Sequence, residues 1–234
     1  MKQNITDNKV VRYLLITYEK IKKFFNFIVE EGIRFPVYIL FHPFKGFDEF
    51  KREKRAKPSI AIAFVVIFIL LQIISFQYEG FMVNQNDISD LNTFAQITYV
   101  LVPILVLAFG NWSITTLFDG KGTIKEILML ISYSLFPMII TQFFALFLSN
   151  MIAQEEIGLY SLVLSVGVFA TGYMVFVGLV SIHEYGVLKC IITIVFTIVA
   201  ALVILFIALL GFDLFRKIYG FVYTIYREIA LRYF

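Results

Sequence analysis

The chain has 234 residues, of which 60% are hydrophobic and only 16% charged, with a mean hydropathy of +0.85. A water-soluble domain of this length carries roughly 25% charged residues, so the composition excludes an ordinary soluble fold and sets hydrocarbon against much of the surface. A single cysteine and two histidines exclude an intrachain disulfide, a cysteine metal cluster and a histidine-based metal site, and neither a cofactor nor a nucleic-acid partner is expected.

The net charge of +3 conceals a split. Residues 1–57 hold 13 of the 20 Lys and Arg against 7 acids, a balance of +6, and the remainder stands at −3. Lysine and arginine in excess mark the cytoplasmic side of a membrane protein, so 1–57 is expected to be a basic cytoplasmic region. Within it, Val11, Leu14, Tyr18, Ile21, Phe25 and Ile28 recur at spacings of 3 and 4, while Arg12, Lys20, Lys22 and Lys23 fall mostly elsewhere. That pattern predicts an amphipathic helix over 10–29. The stretch 33–50 is rich in aromatics and interrupted by Pro36 and Pro43. The basic run Lys51, Arg52, Lys54, Arg55 and Lys57 follows; it suits a topology anchor, or a surface for acidic lipid headgroups. Charge this close to the N-terminus leaves no room for a cleavable signal peptide.

Five uncharged or nearly uncharged stretches come next, over 58–77, 94–118, 124–153, 158–182 and 188–211. Each can cross a bilayer core of about 30 Å, which takes roughly 20 helical residues. The expected fold is therefore an all-α, polytopic membrane protein. Its domain 58–211 is a bundle of five transmembrane helices, flanked by amphipathic N- and C-terminal helices. Loops alternate in charge: Glu79, Asp87 and Asp90, then Glu155 and Glu156, on one side, and Lys121, Lys125 and Lys189 on the other. Five crossings from a cytoplasmic N-terminus place the C-terminus outside the cell membrane. Against this scheme, the tail 212–234 carries a balance of +2, which a re-entrant segment would return to the cytoplasm.

No ionisable residue lies deep in a span, where it would mark an ion or proton path. Asn111, Thr141 and Gln142 are neutral and suit hydrogen bonds between helices; a polar route past Asn111 and Gln142 is the alternative. Gly167, Thr171, Met174 and Gly178 share one stripe of the fourth span, where small residues allow close helix approach. Pro103 and Pro137 would bend the second and third spans. In the tail, Leu214, Ile218, Phe221, Val222, Ile225 and Ile229 form one face. Both flanking helices suit docking in the headgroup layer, packing on the chain's own bundle, or pairing with a partner or second copy. The adjacent His183 and Glu184 lack a second histidine for a zinc motif and read as turn residues.

Two stretches carry a resemblance. One is Phe41-His42-Pro43-Phe44-Lys45-Gly46-Phe47 and the residues to Lys51. The other runs from Gly120-Lys121-Gly122-Thr123 to Tyr133-Ser134-Leu135-Phe136-Pro137. Together with the span count they resemble the Yip domain family (Ypt-interacting proteins), in its bacterial type, with Pro43, Phe47, Gly120, Gly122, Tyr133 and Pro137 at the motif positions. The sequence departs from that pattern at Ser132 and at Phe118-Asp119, where glycines are common. The resemblance implies a five-span protein with its N-terminus in the cytoplasm. Eukaryotic members bind prenylated Rab GTPases and one another; their longer soluble N-terminal domain has no clear counterpart here, and Rab binding is not carried over. Some bacterial members occur beside carbohydrate ABC-transporter components, which implies an accessory role with a transporter permease among the partners. The function expected is a non-enzymatic membrane scaffold or accessory subunit; a transporter or channel subunit for a neutral or lipid-like substrate is the alternative.

Overall fold

A computed structural model describes residues 9–84 and 86–233, and their regular structure is helical throughout. The helices are α1 (Lys9–Val29), α2 (Phe35–Phe41), α3 (Pro43–Arg52), α4 (Pro58–Tyr78), α5 (Thr93–Leu117), α6 (Ile124–Ser134), α7 (Phe136–Ser149), α8 (Ile157–His183) and α9 (Val187–Tyr233). Five of these units are long and apolar enough to cross a membrane: α4, α5, the α6–α7 pair, α8 and α9. The third crossing is divided at Leu135, whose N–H bonds to Ser132 O at 3.3 Å in a tighter turn. Pro137 lies in the first turn of α7, where its missing N–H costs nothing but its ring disrupts the helix behind it. Pro103 stays inside an unbroken α5.

Close approach between crossings depends on small residues. A Cβ on Gly178 of α8 would stand 2.6 Å from Leu130 Cδ1 of α6 and 3.1 Å from the Phe47 ring. One on Gly167 would strike Thr141 of α7. One on Gly110 of α5 would stand 3.2 Å from the Thr197 carbonyl of α9. The crossings therefore pack as α7 on α8 and α5 on α9, with α6 between the two pairs and α4 beside it.

The aromatic stretch before the first span is part of this core. His42 (φ −131°, ψ 60°) turns the chain between α2 and α3, and Pro43 opens α3. Gly46 lets the two helices touch: a Cβ there would lie 2.8 Å from Ile39 Cα. Phe35, Ile39, Phe47 and Phe50 are thus buried against Tyr133 of α6 and Met174 and Val177 of α8.

The flanks are different. Side chains from Thr17 to Ile28 of α1 are all exposed, and so are those of residues 212–229. Neither described flank packs on the bundle. The tail is also no separate helix: α9 runs unbroken for 47 residues, about 70 Å at 1.5 Å per residue.

Candidate functional site

The polar chemistry of the bundle gathers at the end that carries the basic segment, where α3, the α5–α6 turn and the α8–α9 turn meet. The two turns are built first. Asp119 (φ 54°) and Glu184 (φ 55°) take left-handed backbone conformations that stop α5 and α8. Between the turns there is no room for side chains at the glycines. A Cβ on Gly120 would stand 2.6 Å from both His183 Nδ1 and Tyr185 Oη, and one on Gly122 would stand 2.5 Å from Ile182 Cγ2.

The Gly122 N–H donates to His183 Nδ1 at 3.2 Å, so the ring hydrogen of neutral His183 sits on Nε2, which faces Asn111 Oδ1 at 3.1 Å. The Asn111 amide then donates to Thr197 Oγ1 at 3.1 Å, and the Thr197 hydroxyl to Thr193 O at 2.7 Å. This directed chain joins α8, α5 and α9 through three residues that are each at most 6% exposed. Buried polar groups of this kind are tolerable only when paired. Beside it the Tyr185 hydroxyl donates to Phe118 O at 3.0 Å, its ring stacks on His183, and the Lys189 ammonium lies 4.5 Å above it.

One carboxylate closes the outer rim. Glu184 accepts from Lys51 Nζ at 3.1 Å and from Lys121 Nζ at 2.5 Å. Lys51 also donates to Ile182 O at 2.7 Å, a carbonyl of the last turn of α8, where a cation suits the helix dipole. Lys121 and Lys51 together hold the Glu184 carboxyl down at about 2.

Tyr133 fastens the linker before the first span. Its hydroxyl accepts the Lys57 N–H at 3.0 Å, and its ring meets Phe35, Phe50 and Phe64 edge-on with centroids 5.4–6.1 Å away.

The residues singled out from the sequence therefore take several positions. Pro43 and Phe47 lie in the α2–α3 wedge, Gly120 and Gly122 under His183, Tyr133 at the linker, and Pro137 at the α6–α7 break. Gly167 and Gly178 face neighbouring helices, and the Thr171 hydroxyl is buried with no hydrogen-bond partner among the described residues. Of the basic run, Lys51 is held by Glu184, Arg52 pairs with Asp48 at 2.7 Å, and Arg55 pairs with Glu49 at 2.7 Å and lies over the Phe35 ring. Lys54 and Lys57 make no ion pair among the described residues. Asn111 and Gln142 do not share a path. Asn111 sits near the basic end, whereas Gln142 bonds Ser75 at 3.3 Å towards the other. The sequence reads His183 and Glu184 as turn residues only and gives no reading of Tyr185; the glycines of the neighbouring turn were the available signal.

Five crossings, a buried hydrogen-bond chain between them and an interlocked polar end define a multi-pass helical membrane protein. The chain belongs to the Yip1 domain family, whose model matches residues 37–209. The match opens within α2 and closes within α9, so it takes in the α2–α3 wedge and all five crossings. It leaves out α1 and the distal part of α9. Neither the comparison with curated proteins nor that with solved structures gives a match.

Proposed function

We propose that this protein is a non-enzymatic membrane scaffold or accessory subunit that holds another membrane protein, or a second copy of itself, through its flanking helices. The observation that supports this reading most is the uncovered apolar face of the distal α9. Leu214, Ile218, Phe221, Val222, Ile225 and Ile229 are each at least 42% exposed, and they lie beyond the family-matched region. Because α9 does not break at the membrane boundary, this face projects along the axis of the last crossing and suits a partner helix better than the headgroup plane. In α1, Tyr18, Ile21 and Phe25 are more than 60% exposed, and this stripe suits either a partner or the lipid surface. The basic end is assigned to the cytoplasm and the distal α9 to the outside of the cell membrane, on the distribution of Lys and Arg. A carbohydrate ABC-transporter permease is one partner class, carried by the family resemblance alone.

Affinity purification of the tagged chain at native expression, after crosslinking in the membrane, tests the reading. Crosslinks from α1 or distal α9 to a membrane protein or a second copy are expected. Recovery of uncrosslinked monomer alone would overturn it.

A second reading, a transporter or channel subunit, draws on a cavity of about 300 Å³ between α5, α6, α8 and α9 that reaches Asn111 and Thr197. Uptake into vesicles that is lost in Asn111→Leu would favour it; uptake unchanged by that substitution takes Asn111 off any path.

A further inference from the structure

We infer that the flank formed by α4, α5 and α6 is a binding site for one phospholipid with an anionic headgroup. A trench of about 510 Å³ runs between these helices. Ala61, Val65 and Ile69 of α4, Leu101 and Ile104 of α5 and Leu128 of α6 give it almost wholly apolar walls, and it opens sideways to the surroundings of the bundle. From Pro58 to Ile69 it descends about 16 Å at 1.5 Å per residue, close to the hydrocarbon depth of one leaflet, half of about 30 Å.

At the basic end the trench meets a recess of about 250 Å³, with Pro58, Lys125 and Met129 lining both. Lys51 and Lys54 also line this recess. Lys51 Nζ is occupied by Glu184 and the Ile182 carbonyl, whereas Lys54 and Lys125 make no ion pair or side-chain hydrogen bond among the described residues. The one acid on the recess, Glu126, is turned into the α6 capping box, where it accepts the Thr123 N–H at 2.8 Å and hydroxyl at 2.9 Å. Two lysines with no ion pair among the described residues therefore line the mouth, beside the positive end of the α6 dipole. A polar mouth with two free cations above an apolar trench of leaflet depth is complementary to a molecule with a phosphate at one end and an acyl chain at the other. The proposal is independent of the scaffold reading, because it uses neither α1 nor the distal α9.

Native mass spectrometry of the full chain in mild detergent, titrated separately with phosphatidylglycerol and phosphatidylcholine, tests it. One phosphatidylglycerol per chain is expected to be retained in preference to phosphatidylcholine. Lys54→Gln and Lys125→Gln should each weaken it about fivefold, the worth of one cation at an anionic surface. Val65→Trp, which fills the trench and spares both lysines, should weaken it as well. Arg52→Gln removes a charge from the same segment but outside the recess, and should leave retention unchanged. Lys54 and Lys125 are exposed, so their variants are expected to keep the elution volume and melting temperature of the parent. Wild-type retention by the double lysine variant would overturn the site, as would equal retention of both lipids. An Arg52→Gln loss as large as that of Lys125→Gln would mean diffuse attraction instead. Binding of inorganic phosphate that Val65→Trp leaves intact, without retained lipid, would mean a soluble-anion site, and the proposal would fall.

Discussion

Glu184 draws its two ion partners from segments 133 and 63 residues away in the chain, so its ionisation bears on how three segments are held together. Its folded pKa, about 2, lies below the ordinary value of 4.5. Depression of this kind contributes stability in full above about pH 4.5, and the contribution is lost as pH falls towards 2. The melting temperature of the detergent-solubilised protein is expected to fall over that window, with a smaller fall in Glu184→Gln. High salt should narrow the difference, since the pairs are partly exposed and screened. Tyr133→Phe keeps the three edge-on ring contacts and removes the acceptor for the Lys57 N–H. A loss of about 1 kcal/mol is expected, the net worth of one part-buried hydrogen bond, measurable by denaturant unfolding. Residue identity was legible here, and partnership was not. Gly120, Gly122 and Tyr133 stand out in the sequence through family resemblance. Nothing local, however, announces that Gly122 donates to His183, or that Asn111 lies between His183 and Thr197.

Helices were read well wherever length and hydropathy settle them, which is why the five crossings appear where the apolar stretches lie. The α2–α3 wedge was harder. Its apolar residues are scattered around Pro36, Pro43 and Gly46 without a clean period, and their burial depends on the gap at Gly178, far along the chain. The continuity of α9 was missed for a related reason: the change from apolar to amphipathic composition near Gly211 resembles a boundary. Yet no proline follows to break the helix, and a single glycine costs only about 1 kcal/mol. Spin labels at residues 203 and 223 should therefore report a separation of about 30 Å in pulsed dipolar spectroscopy, twenty residues at 1.5 Å each. A distance well below that would mean that the tail folds back at the boundary.

Across the molecule, five crossings put α1 and the distal α9 at opposite ends of the bundle. The other end, away from the basic segment, is joined by the Gly80 N–H to Ser149 Oγ at 3.0 Å and by Tyr160 to Glu79 at 2.7 Å. In a Cys190→Ser background, single cysteines at 86 and 225 are expected to react with an impermeant maleimide from the same face of intact cells, and a cysteine at 45 only after permeabilisation. Protection of 225 while 86 reacts would remove one crossing from the count. Composition alone made the five apolar crossings legible, because lipid demands them; which surfaces meet other proteins depends on partners that leave no periodic trace in one chain.

The unbroken α9 also has a mechanical meaning. A stiff rod anchored along α5 and free over nearly half its length has the form of a lever. A sideways force near Ile225 would load the seat of this rod on α5, where Thr193 and Thr197 meet the hydrogen-bonded chain to Asn111 and His183.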